Sequence, residues 1–299
     1  MRRKICAIVV VAILACPRLA SAEADSCGSI TTNHETGRRV ALGAAAVAGN
    51  ATLFVYFKHA WWSGAPTRNW WVGNDINDAQ FGNQDKFGHF FGGFQLTRLG
   101  TGALKVACIS DRKAVLWAAL YAYMSQFEIE VYDGTQDIYG FSPNDLAADV
   151  AGEMFGVVWH RTKWLQNIKP TFSYAPTAAE RNRNLPGRGG EPRPSVDYAG
   201  QTYWFSADIH ALLPNSAKPF WPSLIRLSVG HSITDFVDPA TGAGLQGRRK
   251  ILLSLDLDPE HLPGDSPVWR AIKHQLSFYH FPAPAFQFTP RARGIAWYR

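Results

Sequence analysis

The sequence lacks the short motifs that identify common catalytic centres. It contains no HExxH, GxSxG, P-loop or CxxC element, each of which ties a particular chemistry to a particular spacing. No motif with a known mechanism therefore supports an enzyme, and whether the chain is one stays open. Any site has to be sought in the arrangement of its acids, histidines and glycines.

The chain also lacks runs of one charge. Its 30 Lys and Arg residues outnumber 24 Asp and Glu residues, and the formal charge of +6 is spread thinly along the sequence. Nucleic-acid-binding proteins gather basic residues on one face or one helix. We therefore expect no nucleic-acid partner, and the sequence identifies no protein partner.

The first 22 residues are typical of a bacterial secretory signal peptide. A basic segment at residues 2–4 precedes an apolar run over residues 5–15, and small residues at 20–22 supply a cleavage site. We expect cleavage after Ala22, with attachment of lipid at Cys16 as the alternative that makes the protein a lipoprotein. Both routes export the chain, so we predict a location in the periplasm or in the membrane-associated cell envelope.

Cysteine is scarce, with four residues in the chain. Cleavage after Ala22 leaves Cys27 and Cys108. In an oxidising compartment these two could pair, although two thiols do not by themselves establish a bridge.

An apolar run over residues 40–57 raises the question of a membrane span. Basic residues at 38, 39 and 58 flank it, and its length lies at the short end of the range of about 17 to 25 residues for a transmembrane helix. Many alanines and the central Asn50 lower its hydrophobicity. A buried helix in a soluble bundle is therefore an equal alternative.

Aromatic residues are abundant, with 11 Trp, 10 Tyr and 18 Phe, and pairs such as Trp61-Trp62 and Trp70-Trp71. Such side chains suit a membrane interface or a binding groove, and the plain alternative is packing near the core. The segment 61–84 is rich in Gly, Asn, Asp and Trp and predicts an irregular loop. A membrane surface, or an envelope lipid or glycan, is the partner that we expect.

The pattern of apolar residues divides the chain into a helical part and a β-rich part. Helical periodicity predicts helices over residues 85–101, 111–131 and 142–163 in addition to the run at 40–57. Short alternating patterns predict strands at 203–213, 224–233, 250–258, 275–281 and 285–289. The predicted fold is α+β, a bundle of about four apolar helices followed by a small antiparallel sheet. The predicted division is a signal peptide at 1–22, a helical domain at 23–168, a Pro-, Arg- and Gly-rich linker at 169–199 and a β-rich region at 200–299.

One predicted strand shows a clean alternation. Leu253, Leu255 and Leu257 fall on one side of it, which predicts one buried face and one wet face. Four or five strands are too few for a closed membrane barrel, which needs about eight.

The helix that begins at Ser142 carries an unusual row of ionisable side chains. Ser142 at N-cap, Pro143 at N1 and Asp145 at N3 form a start signal close to a capping box. At about 100° per residue, four ionisable side chains fall within about 80° of one another: Asp145, Asp149, Glu153 and His160. An acid row on a helix otherwise rich in apolar residues points either to a site or to a solvated edge.

Each member of this row has a plainer interpretation. Capping explains Asp145, and a solvated face explains Glu153 and His160. Asp149 is harder to explain, because an unpaired carboxylate in the most apolar part of the helix would be costly. Gly152 and Gly156 at the edge of the row permit close approach of another helix. The opposite face is apolar and is predicted to be core: Leu146, Val150, Met154, Val157 and Val158.

Two other helices supply polar residues near their ends. Asp85 and His89, spaced i and i+4, face the same way on a helix, and Glu130 and Asp133 lie one turn apart before Gly134. Lys86 pairs with an acid or, more simply, lies on the surface.

These residues form one candidate cluster. The candidate catalytic residues are Asp85, His89, Glu130, Asp133, Asp145 and Asp149. The candidate metal ligands are Asp85, His89, Glu130 and Asp149. Carboxylates with one imidazole suit a divalent cation or general acid and base work. A divalent metal is therefore the candidate cofactor, and its identity is left open.

Three motifs in order resemble a known family. They are Asp85-Lys86-x-x-His89-Phe90, Glu130-x-Tyr132-Asp133-Gly134 and Gly140-Phe141-Ser142-x-x-Asp145-Leu146-Ala147-x-x-x-x-Gly152. Over about residues 74–160 this combination resembles the YfiM-like family of predicted periplasmic lipoproteins, a domain without an assigned function. It is more distantly similar to VanZ-like membrane proteins, which usually place an Arg shortly before the Ser, where this chain has Ile138 to Phe141. The resemblance implies a helical domain in the cell envelope with a polar site at the matched positions.

Two functions are consistent with these features. The first is an exported envelope protein with a structural or binding role, in which a buried Asp/His/Glu cluster fixes the helices. The alternative is a membrane-associated hydrolase or transferase that acts on an envelope lipid or cell-wall substrate through the same cluster. We favour the first, because no nucleophile motif supports the second.

Overall fold

A computed structural model describes residues 32–76, 81–185 and 193–298. The predicted signal peptide, its cleavage site, the lipidation alternative and Cys27 lie outside the described residues. Cys108 is disulfide-bonded. The predicted α+β class is confirmed, because long helices come first and an antiparallel sheet follows.

Four long helices make up the N-terminal part. Their bounds are α1 Thr32–Ala60, α2 Gln84–Val106, α3 Asp111–Asp133 and α4 Pro143–Arg161. The start signal of α4 acts as predicted, since the Asp145 backbone N–H donates to Ser142 Oγ at 3.1 Å. Ser110, rather than Asp111, occupies the N-cap position of α3. Helix α2 is central, because it contacts α3 and α4 on one side and three strands on the other.

Glycine allows α2 and α4 to pack closely. A Cβ atom on Gly152 would lie 2.0 Å from the backbone oxygen of Phe90, and one on Gly93 would lie 2.6 Å from the carbonyl oxygen of Asp149. Real side-chain carbons do not approach backbone atoms so closely. The close helix contact predicted at Gly152 is therefore present, and it brings α2 side chains within reach of α4 carboxylates.

Six strands form one antiparallel sheet in sequential order. Their bounds are β1 Ile168–Tyr174, β2 Gln201–Ala207, β3 Ile225–Ile233, β4 Arg249–Leu257, β5 Ala283–Gln287 and β6 Arg293–Tyr298. Short helices α5 Ala178–Arg181, α6 Ile209–Leu212 and α7 Pro267–Leu276 lie between them. The expectation of a small antiparallel sheet is confirmed, with six strands. The predicted strand at 275–281 is wrong, because α7 extends to Leu276 and a turn follows it.

The first strand lies where the sequence predicted a linker. Residues 169–174 belong to β1, which pairs along its whole length with β2. Apolar and polar residues alternate from Ile168 to Tyr174, and the polar side, with Lys169, Thr171 and Ser173, is buried. The division of the chain into separate domains remains a prediction.

The buried face of the sheet is polar, which reverses the expectation from the leucine alternation. Leu255 is 39% exposed, whereas Ser254 and Asp256 are 2% and 1% exposed. Asp256 pairs across the strands with Arg226, and Arg226 also donates to the Ser277 carbonyl oxygen at 2.7 Å. Polar groups are buried here because each meets a charged or hydrogen-bonding partner from another strand or from the segment after α7.

His280 makes this polar interior sensitive to acid. Its ring stacks on Trp204 at 3.9 Å, and burial, with Arg226 nearby, lowers the pKa of His280 to about 3. Burial likewise lowers the pKa of His231 to about 4. Both imidazoles are therefore neutral in the folded state at a pH where an unfolded histidine, with a pKa near 6.5, takes up a proton.

We predict that the free energy of unfolding falls as the pH drops from about 6.5 toward 4, because the unfolded state then binds more protons. His280 alone accounts for roughly 3 kcal/mol of this loss at about pH 4. His280→Phe keeps the stacked ring and removes the titrating group. Urea unfolding at a series of pH values should show a flatter dependence for this variant, and parallel curves for the two proteins would contradict the assignment.

Helix α1 is the least enclosed of the four helices. Its segment Glu35–Ala60 is the one stretch of the described residues that is long and apolar enough to cross a membrane, and none of its most apolar window is buried. Val40 and Val47 are 67% and 72% exposed. The alternative of a buried helix in a soluble bundle is therefore wrong for residues 40–57.

Candidate functional site

Three helix ends meet at one end of the bundle. Helices α2 and α4 begin there and α3 ends there, so that His89, Glu130 and Asp149 face one another across the three helices. One ligand atom from each of these residues lies within 4.8 Å of the others. The structure thus brings together three of the four predicted metal ligands.

His89 is the residue that connects the three helices. Its Nδ1 lies 2.9 Å from Asp149 Oδ1, and its Nε2 lies 3.5 Å from Asp145 Oδ1 and 3.8 Å from Glu130 Oε1. The amide of Gln126 donates to the same Asp149 oxygen and to the backbone oxygen of His89. His89 keeps 18% of its side chain exposed, whereas Asp149 and Glu130 are almost fully buried. The imidazole therefore lies between solvent and two deep carboxylates.

The two deep carboxylates are incompletely satisfied. Glu130 Oε2 accepts from the Ser142 backbone N–H at 3.1 Å, but Glu130 Oε1 and Asp149 Oδ2 have no hydrogen-bond donor. Buried polar atoms without a partner are rare and costly. Two such oxygens in one buried cluster leave room for a proton or a cation.

Lys86 neutralises the neighbouring acids. Its Nζ lies 2.8 Å from Asp85 and 2.7 Å from Asp145, and it also pairs with Asp75. These three carboxylates have ligand atoms close enough to hold a metal, but the ammonium group already occupies the space among them. The expectation that Lys86 is a surface residue is wrong, because only 13% of its side chain is exposed.

The two remaining predicted residues lie apart from the His89 group. Asp85 faces Lys86 rather than joining His89 in one ligand set. Asp133 accepts a hydrogen bond from the Trp62 indole N–H, so it is held by the aromatic loop. Both residues border the cluster, and neither belongs to the ligand set formed by His89, Glu130 and Asp149.

The structure also corrects the predicted faces of α4. Glu153, predicted as a solvated edge, is 5% exposed, whereas Met154 and Val158, predicted as core, are 62% and 49% exposed. His160 is half-buried and lies 2.9 Å from Asp111 at the opposite end of the bundle. The polar row turns inward because Gly152 and Gly156 share its side of the helix, and glycine is what permits contact with α2.

Burial raises the pKa of the acids around His89. The pKa of Glu130 is raised to about 8 even though the His89 imidazole opposes the shift. Burial raises the pKa of Asp133 to about 7, against the hydrogen bond from Trp62, and that of Glu153 to about 7. The pKa of Asp145 is also raised by burial, against the nearby charge of His89.

The pKa values of the two basic groups are raised as well, but by neighbouring carboxylates rather than by burial. Burial alone would lower the pKa of His89, but Asp145 and Asp149 outweigh it and leave the pKa well above its usual value. For Lys86, Asp145 and Asp85 likewise outweigh burial and raise the pKa. The cluster therefore has a strong preference for positive charge.

Sequence reasoning missed three residues of this site. Asp75 accepts hydrogen bonds from the hydroxyl of Ser142 at 2.9 Å and from the amide of Asn144 at 3.3 Å. Gln126 and Trp62 hold Asp149 and Asp133. Asp75 and Trp62 come from the irregular loop and Gln126 from the middle of α3, so no spacing rule could have placed them beside the helix ends.

A second group of metal-type residues lies at the edge of the sheet: Asp208, Asp258 and His261. Its carboxylates have structural roles, because Asp208 caps α6 through the Ala211 N–H and Asp258 caps a short turn through the Glu260 N–H. Ordinary capping accounts for these acids. The His89 group has no comparable explanation.

A family model matches the part of the chain that carries the cluster. Residues 70–161 match the family described as predicted periplasmic lipoprotein (DUF2279). The match supports the predicted membership in a family of periplasmic lipoproteins for this part of the chain. The match covers about a third of the chain and contains all six predicted site residues, and the family description agrees with the predicted export to the periplasm or cell envelope.

The remaining comparisons add no function. No curated protein and no solved structure matches the chain significantly. The YfiM name and the VanZ-like similarity remain predictions. A role for the cluster therefore has to be argued from its geometry.

Proposed function

We propose that this chain is a noncatalytic binding protein of the bacterial cell envelope, in which His89, Glu130 and Asp149 hold a divalent cation that joins α2, α3 and α4. The observation that carries the proposal is the convergence of these three residues within 4.8 Å while Glu130 Oε1 and Asp149 Oδ2 lack a donor. A metal ion would satisfy both oxygens at once.

The charge balance supports a cation over a self-sufficient network. Lys86 already serves Asp75, Asp85 and Asp145, so the imidazole of His89 is the one basic side chain that meets Glu130 and Asp149 among the described ion pairs. A buried carboxylate that lacks a counter-charge either costs several kcal/mol or takes up a proton, as the raised pKa of Glu130 shows. A divalent ion removes that cost and supplies coordination bonds in addition.

The donor set limits the kind of ion. One imidazole with two carboxylates suits Zn²⁺ or Mn²⁺, whereas Ca²⁺ and Mg²⁺ prefer an all-oxygen shell. Metal sites of this kind also need groups that orient the ligands. Gln126 on Asp149 and the Ser142 N–H on Glu130 fill that role.

The surroundings of the cluster support a binding role toward an envelope lipid or glycan. Trp70 and Ile138 are 53% and 61% exposed, and Tyr139 is 38% exposed, on the loops beside the helix ends. Exposed aromatic and apolar side chains next to a charged site are common at interaction surfaces.

The alternative of a hydrolase or transferase needs a nucleophile. The hydroxyl of Ser142, which lies in the cluster, is already engaged, because it accepts from the Asp145 N–H and donates to Asp75. Within the cluster, the pairing of His89 with Asp149 is an arrangement that general base catalysis would use. The hydrolase or transferase alternative therefore stays a prediction. The metal analysis described below tests it only if an ion is found in the protein.

Metal content tests the proposal directly. Protein purified after export and without chelator should contain about one equivalent of a transition metal by elemental analysis. Removal of the metal should lower the thermal midpoint, since a ligand at about 100 times its Kd stabilises by roughly 2.7 kcal/mol. Glu130→Gln keeps the acceptor for Ser142 and should weaken binding of Zn²⁺ or Mn²⁺ by at least roughly 100-fold.

Asp208→Asn is the matched control, because it alters a buried acid of the other metal-type group. It should leave metal content and affinity unchanged. A chain without metal, whose thermal midpoint is insensitive to Zn²⁺, Mn²⁺, Ca²⁺ and Mg²⁺, would contradict the proposal and favour a purely structural network.

A further inference from the structure

The outward face of helix α1 is apolar, although it is exposed. Between Val40 and Val55 its exposed positions carry only Val, Ala, Gly and Thr side chains. Exposed faces of helices in water normally carry charged residues. Charged residues appear only beyond its two ends, at Arg38 and Arg39 before it and at Lys58 after it.

Helix α3 extends this apolar face. It runs parallel to α1, because Tyr121 donates to the Ala46 carbonyl oxygen at 3.1 Å and Asn50 donates to Glu128 at 2.7 Å, one turn further along α1 and two turns further along α3. The outward side of α3 exposes four large apolar residues over 48–58% of their surface: Leu116, Trp117, Leu120 and Met124. The two helices together form an apolar surface, which we call the α1/α3 face.

The sheet lies on the opposite side of the bundle. It follows α2 from the Gln84 contact with the Gln201 carbonyl oxygen to the contacts of the Phe91 ring with Phe172 and Tyr203, about 11 Å of helix at 1.5 Å per residue. Gln126 of α3 donates to the His89 carbonyl oxygen within this stretch, and Glu128, half a turn further along α3, meets Asn50, so the middle of α1 lies level with the sheet. A plane perpendicular to α1 through its middle, such as the midplane of a bilayer that α1 crossed, would therefore also pass through the sheet.

The position of the sheet beside the helices limits the orientations in which α1 can enter a membrane. If α1 crossed a bilayer, it would carry the sheet into the hydrocarbon region, where open sheet edges do not occur. In the sheet order β6 pairs with β5 alone and has an open edge. The length and composition of α1 permit crossing, but its position in the fold opposes it.

We infer that the α1/α3 face lies in the plane of a lipid bilayer and is immersed in one leaflet, with α1 parallel to the membrane and the sheet in water. Arg38, Arg39 and Lys58 at the ends of α1 are placed to meet anionic headgroups, as basic residues do at membrane surfaces. The bilayer is the partner that fits this face, because a long apolar stretch of α1 bounded by basic residues matches hydrocarbon next to anionic headgroups. The exposed carboxylate of Glu128 beside α1 accepts a hydrogen bond from Asn50, and Glu35 pairs with Arg39.

Flotation with preformed vesicles of phosphatidylethanolamine and phosphatidylglycerol tests the inference on the full chain purified after export. The protein should float with the vesicles. Val47→Lys, at a position 72% exposed on α1, should reduce the bound fraction at least roughly tenfold. Val268→Lys, at a position 47% exposed on α7, is the matched control and should bind like the unmodified protein.

Labelling distinguishes a helix in the membrane plane from one that crosses. Gly37→Cys and Lys58→Cys place a thiol at either end of α1, and both should react with a membrane-impermeant maleimide in intact vesicles, above the background of the unmodified protein. Protection of one end until detergent is added would overturn the inference in favour of crossing. Binding that is lost in Cys16→Ser and unchanged in Val47→Lys would overturn it in favour of a lipid anchor. A dimer that does not float would overturn it in favour of a second copy on this face.

Discussion

Replacing Arg226 with methionine is expected to destabilise the protein by about 3–5 kcal/mol, the usual cost of leaving one buried charge without its partner. Arg226 and Asp256 are 0% and 1% exposed and lie opposite each other on β3 and β4, with 2.5 Å between Nη2 and Oδ2. Methionine fills a similar volume but supplies no charge. The Asp256 carboxylate then keeps only its hydrogen bonds from Ser206 and the Phe281 N–H.

The same variant also loses contacts with the segment that covers the sheet. Arg226 donates to the carbonyl oxygens of Ser277 at 2.7 Å and Tyr279 at 3.3 Å. Those carbonyl groups would be left without this donor in a buried place, which adds to the cost.

Urea unfolding followed by circular dichroism measures this effect. The double variant Arg226→Met/Asp256→Leu removes both charges and should recover most of the lost stability, as replaced buried ion pairs often do. Arg293→Met, at an exposed position in β6, should change stability by less than about 0.5 kcal/mol. A loss below about 1 kcal/mol for Arg226→Met would show that the pair is not buried as described.

Replacing Gly152 with alanine is expected to cost at least about 3 kcal/mol and to disrupt the cluster as well. The new Cβ would lie 2.0 Å from the Phe90 backbone oxygen and 2.9 Å from its Cα. Backbone atoms cannot move aside as the end of a flexible side chain can, so α2 and α4 must separate. Separation pulls His89 away from Asp149, whose contact depends on the close approach of the two helices.

Thermal unfolding and Zn²⁺ or Mn²⁺ titration of Gly152→Ala should therefore both change. Gly102→Ala is the matched control in α2, because a Cβ there meets nothing within 4 Å. Alanine favours a helix over glycine by about 0.5–1 kcal/mol, so this variant should be slightly more stable and should bind metal normally. Equal stability of the two variants would contradict the role assigned to Gly152.

Much of the helical part could be predicted from local pattern. The start of α4 was readable because Ser142, Pro143 and Asp145 satisfy rules that act within one turn of chain. The close contact at Gly152 was readable because glycine in a helix is costly unless another backbone approaches it. Local rules of this kind need no knowledge of the rest of the fold.

Which face of each helix or strand is buried could not be predicted in the same way. The rule that apolar residues are buried failed at Met154 and Val158 on α4 and at Leu255 on β4, which are exposed. It failed because partners distant in sequence, such as His89 for Asp149 and Arg226 for Asp256, make burial of the polar side favourable. The strand at 168–174 was missed although apolar and polar residues alternate along it, because Pro170 lies inside it and a Pro- and Arg-rich segment follows.

Local sequence pattern was enough to predict the order of the long helices, the start of α4, the helix that carries the acid row and the candidate residues His89, Glu130 and Asp149. These properties depend on backbone preferences and on spacings of a few residues. Only the tertiary structure decided that Lys86 neutralises Asp85 and Asp145, and that His89 meets Glu130 and Asp149 where buried oxygens lack a donor. Burial and charge pairing depend on the distances between separate helices, and the chain reaches those distances only when the glycine contact of α2 with α4 is made.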